Sequence, residues 1–199
     1  MFWNRISPLY DLFETVYNGK VYRGTGEEVA KSINPTDHVL ECACGTGAIS
    51  IAIAPRCATL TATDFAEGML RQAAKKLKQH PNVTLQQADI TRLPYADAEF
   101  DTAVAGNVIH LLPQPEKALA ELKRVVKPGG RIILPTYINM SKGSSALAVK
   151  FIELLGARFK QQFDLESYKR FLTGLGCKEF EIHVVDGRMP CAVAVIPNV

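Results

Sequence analysis

From about Asn34 onward, short apolar runs alternate with stretches whose apolar residues recur every three or four positions, the pattern of a parallel sheet with crossover helices. Val39–Cys44 reads as a first strand running into a glycine-rich turn, and Ala48–Ala54 as the helix that follows it. Thr59–Thr63 is rich in β-branched residues and reads as a second strand closing on Asp64. Over Glu67–Gln79, the residues Met69, Leu70, Ala73, Ala74 and Leu77 have helical spacing, with lysine and arginine on the opposite face. Val83–Gln87, ending near Asp89, and Phe100–Ala105 supply a third and a fourth strand. Pro115–Val126 is an amphipathic helix that Lys127-Pro128-Gly129-Gly130 should stop and turn into a loop before a fifth strand, Arg131–Tyr137. Ser145–Phe159 reads as a helix, and Asp164–Leu175 as another, with Asp164 as its N-cap and Gly174 and Gly176 closing it. Lys178–Val185 and Ala192–Ile196, joined by Asp186-Gly187-Arg188, predict a closing antiparallel hairpin.

Composition narrows this picture. Hydrophobic residues make up 47% of the 199 and charged residues 22%, enough for a packed core and a soluble surface. The formal net charge of +3 is scattered, and the basic cluster Arg71–Lys78 reads as the solvated face of a helix, so a nucleic-acid partner is not expected. No apolar run approaches the ~20 residues of a membrane span, although peripheral membrane contact stays open. The start Met1-Phe2-Trp3-Asn4-Arg5 lacks the features of a secretory signal, which predicts a cytoplasmic protein. Five cysteines is an odd number, and Cys42, Cys44 and Cys57 lie in or beside strand-like segments, which favours reduced core thiols. No second cysteine or histidine pair has ligand spacing, and no metal is expected.

The chemistry concentrates in Val39-Leu40-Glu41-Cys42-Ala43-Cys44-Gly45-Thr46-Gly47, a strand entering a tight turn that opens a helix. Gly45 and Gly47 let the backbone come close to a ligand. A dinucleotide-binding turn would set a pyrophosphate on the helix N-terminus, but the frame here is Gly45-x-Gly47-x-x-Ser50, a poor match. Glu41 also puts a carboxylate where a phosphate is repelled and a cationic amino group attracted. Asp64, about 20 residues past the turn, could accept both hydroxyls of a ribose; the plainer reading makes it an N-cap for the helix starting near Glu67.

With Glu41-x-Ala43-x-Gly45-Thr46-Gly47 as its first motif, the chain resembles the class I S-adenosylmethionine-dependent methyltransferases, with Ala43 where that family has a first glycine. The resemblance continues at the later strand ends. It implies that Glu41, Ala43, Gly45, Thr46 and Gly47 line the S-adenosylmethionine site, that Asp64 and Phe65 follow the ribose-binding strand, and that Met69 walls the adenosine pocket. It further implies that Asp89 and Ile90 form the adenine contact, the Asp89 carboxylate accepting from the exocyclic amine. The loop after Phe100–Ala105 carries Asn107, in the place whose backbone carbonyls receive the methionine ammonium group. Leu122–Arg131 resembles the family's helix-to-strand connection, whose role is architectural.

The expected fold is therefore α/β: a doubly wound, seven-stranded, mostly parallel sheet with a C-terminal antiparallel hairpin, in three α/β/α layers. A single domain of 1–199 is expected, with residues 1–33 a helical cap, 34–137 the cofactor-binding half and 138–199 the substrate-side half. Phe2–Leu12 is similar to the opening of ubiquinone/menaquinone-biosynthesis C-methyltransferases, which implies that Tyr10 contacts the methionine end or the substrate and that Tyr17 and Tyr22 line the entrance; a cap helix burying its aromatics is the alternative. His110, three residues past Asn107, is the candidate general base, against a reading in which it simply packs under the loop. The brief, apolar stretch after Tyr137 points to a small or partly hydrophobic methyl acceptor. An NAD(P)-dependent oxidoreductase and a noncatalytic S-adenosylmethionine-binding protein are the rival readings.

Overall fold

A computed structural model describes residues 18–138 and 163–199. The expected helix Ser145–Phe159 and the candidates Tyr10 and Tyr17 lie outside the described residues. A helix covers 18–30 (α1). It is followed by β1 (His38–Cys42), α2 (Ser50–Ile53), β2 (Thr59–Asp64), α3 (Glu67–Leu77), β3 (Val83–Gln87), β4 (Phe100–Ala105), α4 (Pro115–Val125) and β5 (Val126–Tyr137). The chain closes with α5 (Leu165–Gly174), β6 (Glu181–Val185) and β7 (Cys191–Pro197).

The seven strands form one sheet in the order β3-β2-β1-β4-β5-β7-β6. β1 to β5 are parallel, and β7 enters antiparallel between β5 and β6, as the closing hairpin predicts. Because side chains alternate across a strand, the sheet divides the core in two. Leu40 and Cys42 of β1 join Ala118, Leu119 and Leu122 of α4 and Tyr168 and Leu172 of α5 on one face. Val39 of the same strand joins Val21 and Val29 of α1 and Ile53 of α2 on the other, with Leu70 of α3 packed alongside. Three layers result. Among the described residues no helix is long and apolar enough to cross a membrane.

Two expectations at element ends need correction. The helix expected over Ala48–Ala54 is a single α-turn continued by a 3₁₀ turn, Ala54–Arg56, with Pro55 in its first positions. Proline has no N–H to give and its ring crowds the carbonyl four residues back, so the α-helix stops before it. The loop expected at Lys127–Gly130 is instead taken into the start of β5, with Gly129 at a φ of 79°. The register slips between Phe100↔Val126 and Thr102↔Arg131, which makes the segment a bulge. Asn198 holds it. Its carbonyl accepts from Gly129 N at 2.7 Å, its N–H donates to Gly130 O at 2.9 Å, and its side-chain amide donates to the carbonyls of Lys123, Val126 and Lys127. The expected cap of α5 is present as a reciprocal box, with Ser167 N donating to Asp164 Oδ1 at 2.7 Å and Asp164 N to Ser167 Oγ at 2.9 Å.

Candidate active site

The carboxyl ends of parallel strands beside a change in winding direction are where open α/β sheets form a crevice. Here that place lies between β1 and β4, which are neighbours in the sheet but lead to helices on opposite faces. Beyond Cys42 the backbone twists sharply: Ala43, Gly45 and Gly47 all have positive φ, at 53°, 56° and 83°. The two glycines have different tasks. A Cβ on Gly45 would meet nothing within 4 Å, so its value is conformational, whereas one on Gly47 would press to 3.4 Å on Ala73 and Leu77 of α3. Ala43 takes the same left-handed conformation as Gly45 while carrying a methyl group, which costs about 1–2 kcal/mol.

Two carboxylates support this turn from below and beside it. Asp64, at the end of β2, accepts the Gly45 N–H on Oδ2 at 2.9 Å and the Ala66 N–H on Oδ1 at 2.7 Å. The N-cap position of α3 is Ala66 rather than Asp64, so the aspartate ties the turn to the helix start instead of capping it conventionally. Each carboxylate oxygen has a second lone pair, and Asp64 keeps 9% exposure, so it can still accept from a ligand hydroxyl. Glu41 is 1% exposed, and Ser50 Oγ donates to its Oε2 at 2.5 Å. Burial pushes its carboxyl up to about 8, with the nearby Asp64 charge adding to the rise. Burial raises Asp64 as well. The carboxyl expected to face a ligand at Glu41 thus lies beneath the turn, on the α2 side, and is mostly protonated at neutral pH.

Phe65, next to Asp64, is 53% exposed, an unusual placement for a large apolar ring that leaves a flat face at the crevice. Met69 is buried on the sheet side of α3. Asp89 is exposed and turned on itself, Oδ1 accepting from Thr91 N at 2.8 Å and Thr91 Oγ1 at 2.7 Å, while Ile90 is buried. Asn107 also has positive φ, 52°, and its side chain is engaged: Oδ1 accepts Tyr137 N at 2.9 Å, and its own N–H donates to Pro135 O at 2.8 Å. It therefore braces the β4 loop against β5.

His110 lies in a 3₁₀ turn, Ile109–Leu111, is 8% exposed, and meets Phe163 edge to face at 6.1 Å. Burial pushes its imidazole down to about 4, so the ring is neutral at physiological pH. Phe163 continues into Tyr168 and Phe171, at 5.4 and 4.9 Å, forming an aromatic wall. All five cysteines are buried and free of disulfides; burial pushes Cys42 up to about 12 and Cys57 to about 11, which keeps both as thiols.

Some contributors escaped the linear reading. Ser50, the partner of Glu41, is visible only as a polar residue in an apolar helix. Lys76 was placed on a solvated helix face but reaches Thr46 Oγ1 at 3.2 Å and lies 5.9 Å from the Tyr22 ring, joining α3, the turn and α1. Nothing in the sequence pairs residues so far apart.

A family model described as "Methyltransferase domain" matches residues 40–134. The demethylmenaquinone methyltransferase of Desulfitobacterium hafniense is 30% identical over 167 residues, covering 77% of this chain and 66% of that protein. The phosphatidylethanolamine N-methyltransferase of Cereibacter sphaeroides is 31% identical over 146 residues, covering 71% of this chain and 70% of that one. Across three relatives of the quinone type the chain spans 43% to 66% of their length. A Thermotoga maritima structure described as a SAM-dependent methyltransferase, possible histamine N-methyltransferase, superposes with a TM-score of 0.75 at 19% identity, over 100% of this chain and 99% of that one, a likeness of fold.

Proposed function

Because the chain belongs to the class I S-adenosylmethionine-dependent methyltransferases, we propose that it moves a methyl group by in-line displacement to a small, partly apolar acceptor of the quinol or phenol kind. The observation that carries the reading is Asp64, whose carboxylate lies against the glycine turn, bound to Gly45 N, with lone pairs left for a ligand. A carboxylate there suits the ribose of a cationic nucleoside and opposes a diphosphate, the ligand an NAD(P)-dependent oxidoreductase would need. The edge-to-face contact of His110 with Phe163, together with relatives named for quinone precursors, supports the acceptor class.

When bound, S-adenosylmethionine supplies a methyl already activated by its sulfonium charge. What remains for the chain is to orient and to exclude water, and well-aligned partners gain on the order of 7–11 kcal/mol from proximity. In this reading Asp64 accepts from the ribose hydroxyls with the lone pairs left after its bonds to Gly45 and Ala66. Phe65 lays its exposed ring against the nucleoside. The backbone of Ala43, Gly45, Thr46 and Gly47 lies against the amino-acid end, and Asn107, held by Tyr137 and Pro135, presents main-chain carbonyl oxygen to the ammonium group. Glu41 acts from beneath through its field: a cation in the crevice favours its ionised form, which burial otherwise disfavours. Asp89 and Ile90 read the adenine. His110, neutral and buried, accepts a hydrogen bond from an acceptor hydroxyl; the resemblance of Phe2–Leu12 assigns Tyr10 a contact with the methionine end or the substrate.

Calorimetric titration with S-adenosylhomocysteine and with NAD tests this. Wild-type protein should bind the former only, and Asp64→Ala should weaken that binding by about 1–3 kcal/mol, the usual loss of a charged hydrogen-bond partner. Micromolar binding of NAD with none of S-adenosylhomocysteine overturns the assignment. Incorporation of label from a methyl-labelled cofactor into a panel of quinols and phenols then separates a working enzyme from a protein that only binds.

A further inference from the structure

The connection from β3 to β4, residues 88–99, contains no helix or strand of its own, only the isolated Asp89↔Arg92 bridge, yet it carries Asp89 and Ile90. Within it Asp89 is held locally by Thr91, and where that turn as a whole points depends on what anchors the rest of the loop. Its entry is tied to β2, Ala88 N donating to Asp64 O at 3.3 Å. Its exit is tied to α4, on the far side of the β4 strand, by two residues one helical turn apart. Glu121 Oε2 accepts Leu93 N at 2.7 Å. Arg124 uses its planar fork on three loop acceptors: Leu93 O at 3.0 Å, Tyr95 O at 2.7 Å and Asp97 Oδ1 at 2.8 Å. Its main-chain carbonyl takes Ala98 N at 2.8 Å, where Ala98 itself has φ of 54°. Glu121 and Arg124 also lock one another, Arg124 Nε donating to Glu121 Oε1 at 2.8 Å and Nη2 to Oε2 at 2.9 Å.

We propose that Arg124, set by Glu121, is a positioning residue for adenine recognition: it fixes the loop from Leu93 to Ala98 so that Asp89 is presented to the nucleoside, without touching the ligand itself. The inference rests on the reading of Asp89 as the adenine contact. A surface ion pair alone would carry little weight, but here each guanidinium nitrogen has an acceptor and two of those acceptors are main-chain carbonyls of the loop, Leu93 O and Tyr95 O. The fork geometry is what a lysine lacks, since an ammonium is a point donor on a flexible stem. Arg124→Lys should therefore keep the charge and lose the effect. Glu121 is held in its ionised form by the same contacts, the Arg124 hydrogen bonds lowering its carboxyl below the usual range.

The test compares S-adenosylhomocysteine with its deaminated, hypoxanthine-bearing analogue, which presents a carbonyl where adenine has its amine. Wild-type protein should prefer the adenine form, and Arg124→Met and Arg124→Lys should each reduce that preference at least fivefold, raising the cofactor KM by more than they lower kcat. Glu121→Gln keeps an acceptor for Leu93 and should lose less. Amide exchange at Asp89–Thr91 should quicken in both arginine variants. Should Arg124→Met fail to fold, Arg124→Lys decides, since it retains the charge and most of the stem. Wild-type protein that binds and discriminates, with variants that discriminate equally well, overturns the inference and leaves the cofactor reading standing. Wild-type protein that binds neither ligand sinks the cofactor reading, and this inference with it.

Discussion

Strand β7 and the turn after β1 both belong to interior strands of the sheet, each paired on two sides, and they are built in opposite ways. Along β7 the side chains of Ala192, Ala194 and Ile196 go to one apolar cluster and those of Cys191 and Val193 to the other, and the backbone is laddered to β5 and β6 on both sides. Propensity, pattern and pairing agree there. In the turn, Ala43 occupies a conformation suited to glycine, and burial raises the carboxyls of both Glu41 and Asp64, the Asp64 charge adding to the rise at Glu41. Burial of an acid costs free energy unless a partner or a proton compensates. A chain selected for stability alone would have no reason to keep these features together, and such local conflicts gather at sites of function.

Substitution of Glu41 gives the sharpest test of that contrast. Its carboxyl titrates near 4.5 in the unfolded chain and at about 8 when folded, so the folded state holds the extra proton between those values. Stability therefore falls as pH rises from 4.5 through 8, by up to about 5 kcal/mol if the whole shift is expressed. Glu41→Gln keeps an acceptor for Ser50 and should be the more stable protein at pH 8.5, with the gap closing by pH 4.5, in denaturant unfolding followed across pH. Equal stability at both ends would show that the carboxyl is not taxed by burial. In β7 the sign reverses: Ile196→Ala, at a position 2% exposed, should destabilise by about 2–5 kcal/mol at every pH. A loss under 1 kcal/mol would mean that the hairpin is less tightly packed than its burial indicates. The smallest effect belongs to the turn backbone. Ala43→Gly should stabilise and Gly45→Ala destabilise, each by about 1 kcal/mol, because the two residues share almost the same φ. Thermal unfolding of the pair checks this; shifts of the same sign would remove the strain argument.

Much of this was open to sequence reading. β3 and β4 have the expected bounds, since period-two apolarity and β-branched content agree there, and the order of the elements with the closing hairpin leads to the observed sheet. The strand ends beside which Asp64 and Asp89 lie were legible from the same local pattern. Less legible was anything that depends on a partner distant in sequence. Lys127-Pro128-Gly129-Gly130 does stop α4, but Asn198, some seventy residues later, pairs with the segment and turns the expected loop into the first part of β5. Ala74 has helical spacing with Met69 and Leu77 yet faces solvent, while Lys76, on the supposedly solvated face, folds back to the turn.

By itself the sequence determined the alternation of strands and helices, the glycine turn and the family to which both belong, because these are carried by residues within a few positions of one another. Only the tertiary structure decided that Glu41 lies under the turn against Ser50, that Asp64 grips Gly45, that His110 is neutral beside Phe163, and that Arg124 holds the loop from Leu93 to Ala98. The reason is physical: propensity and periodicity are local, whereas desolvation, charge proximity and hydrogen-bond direction depend on which surfaces the folded sheet brings together.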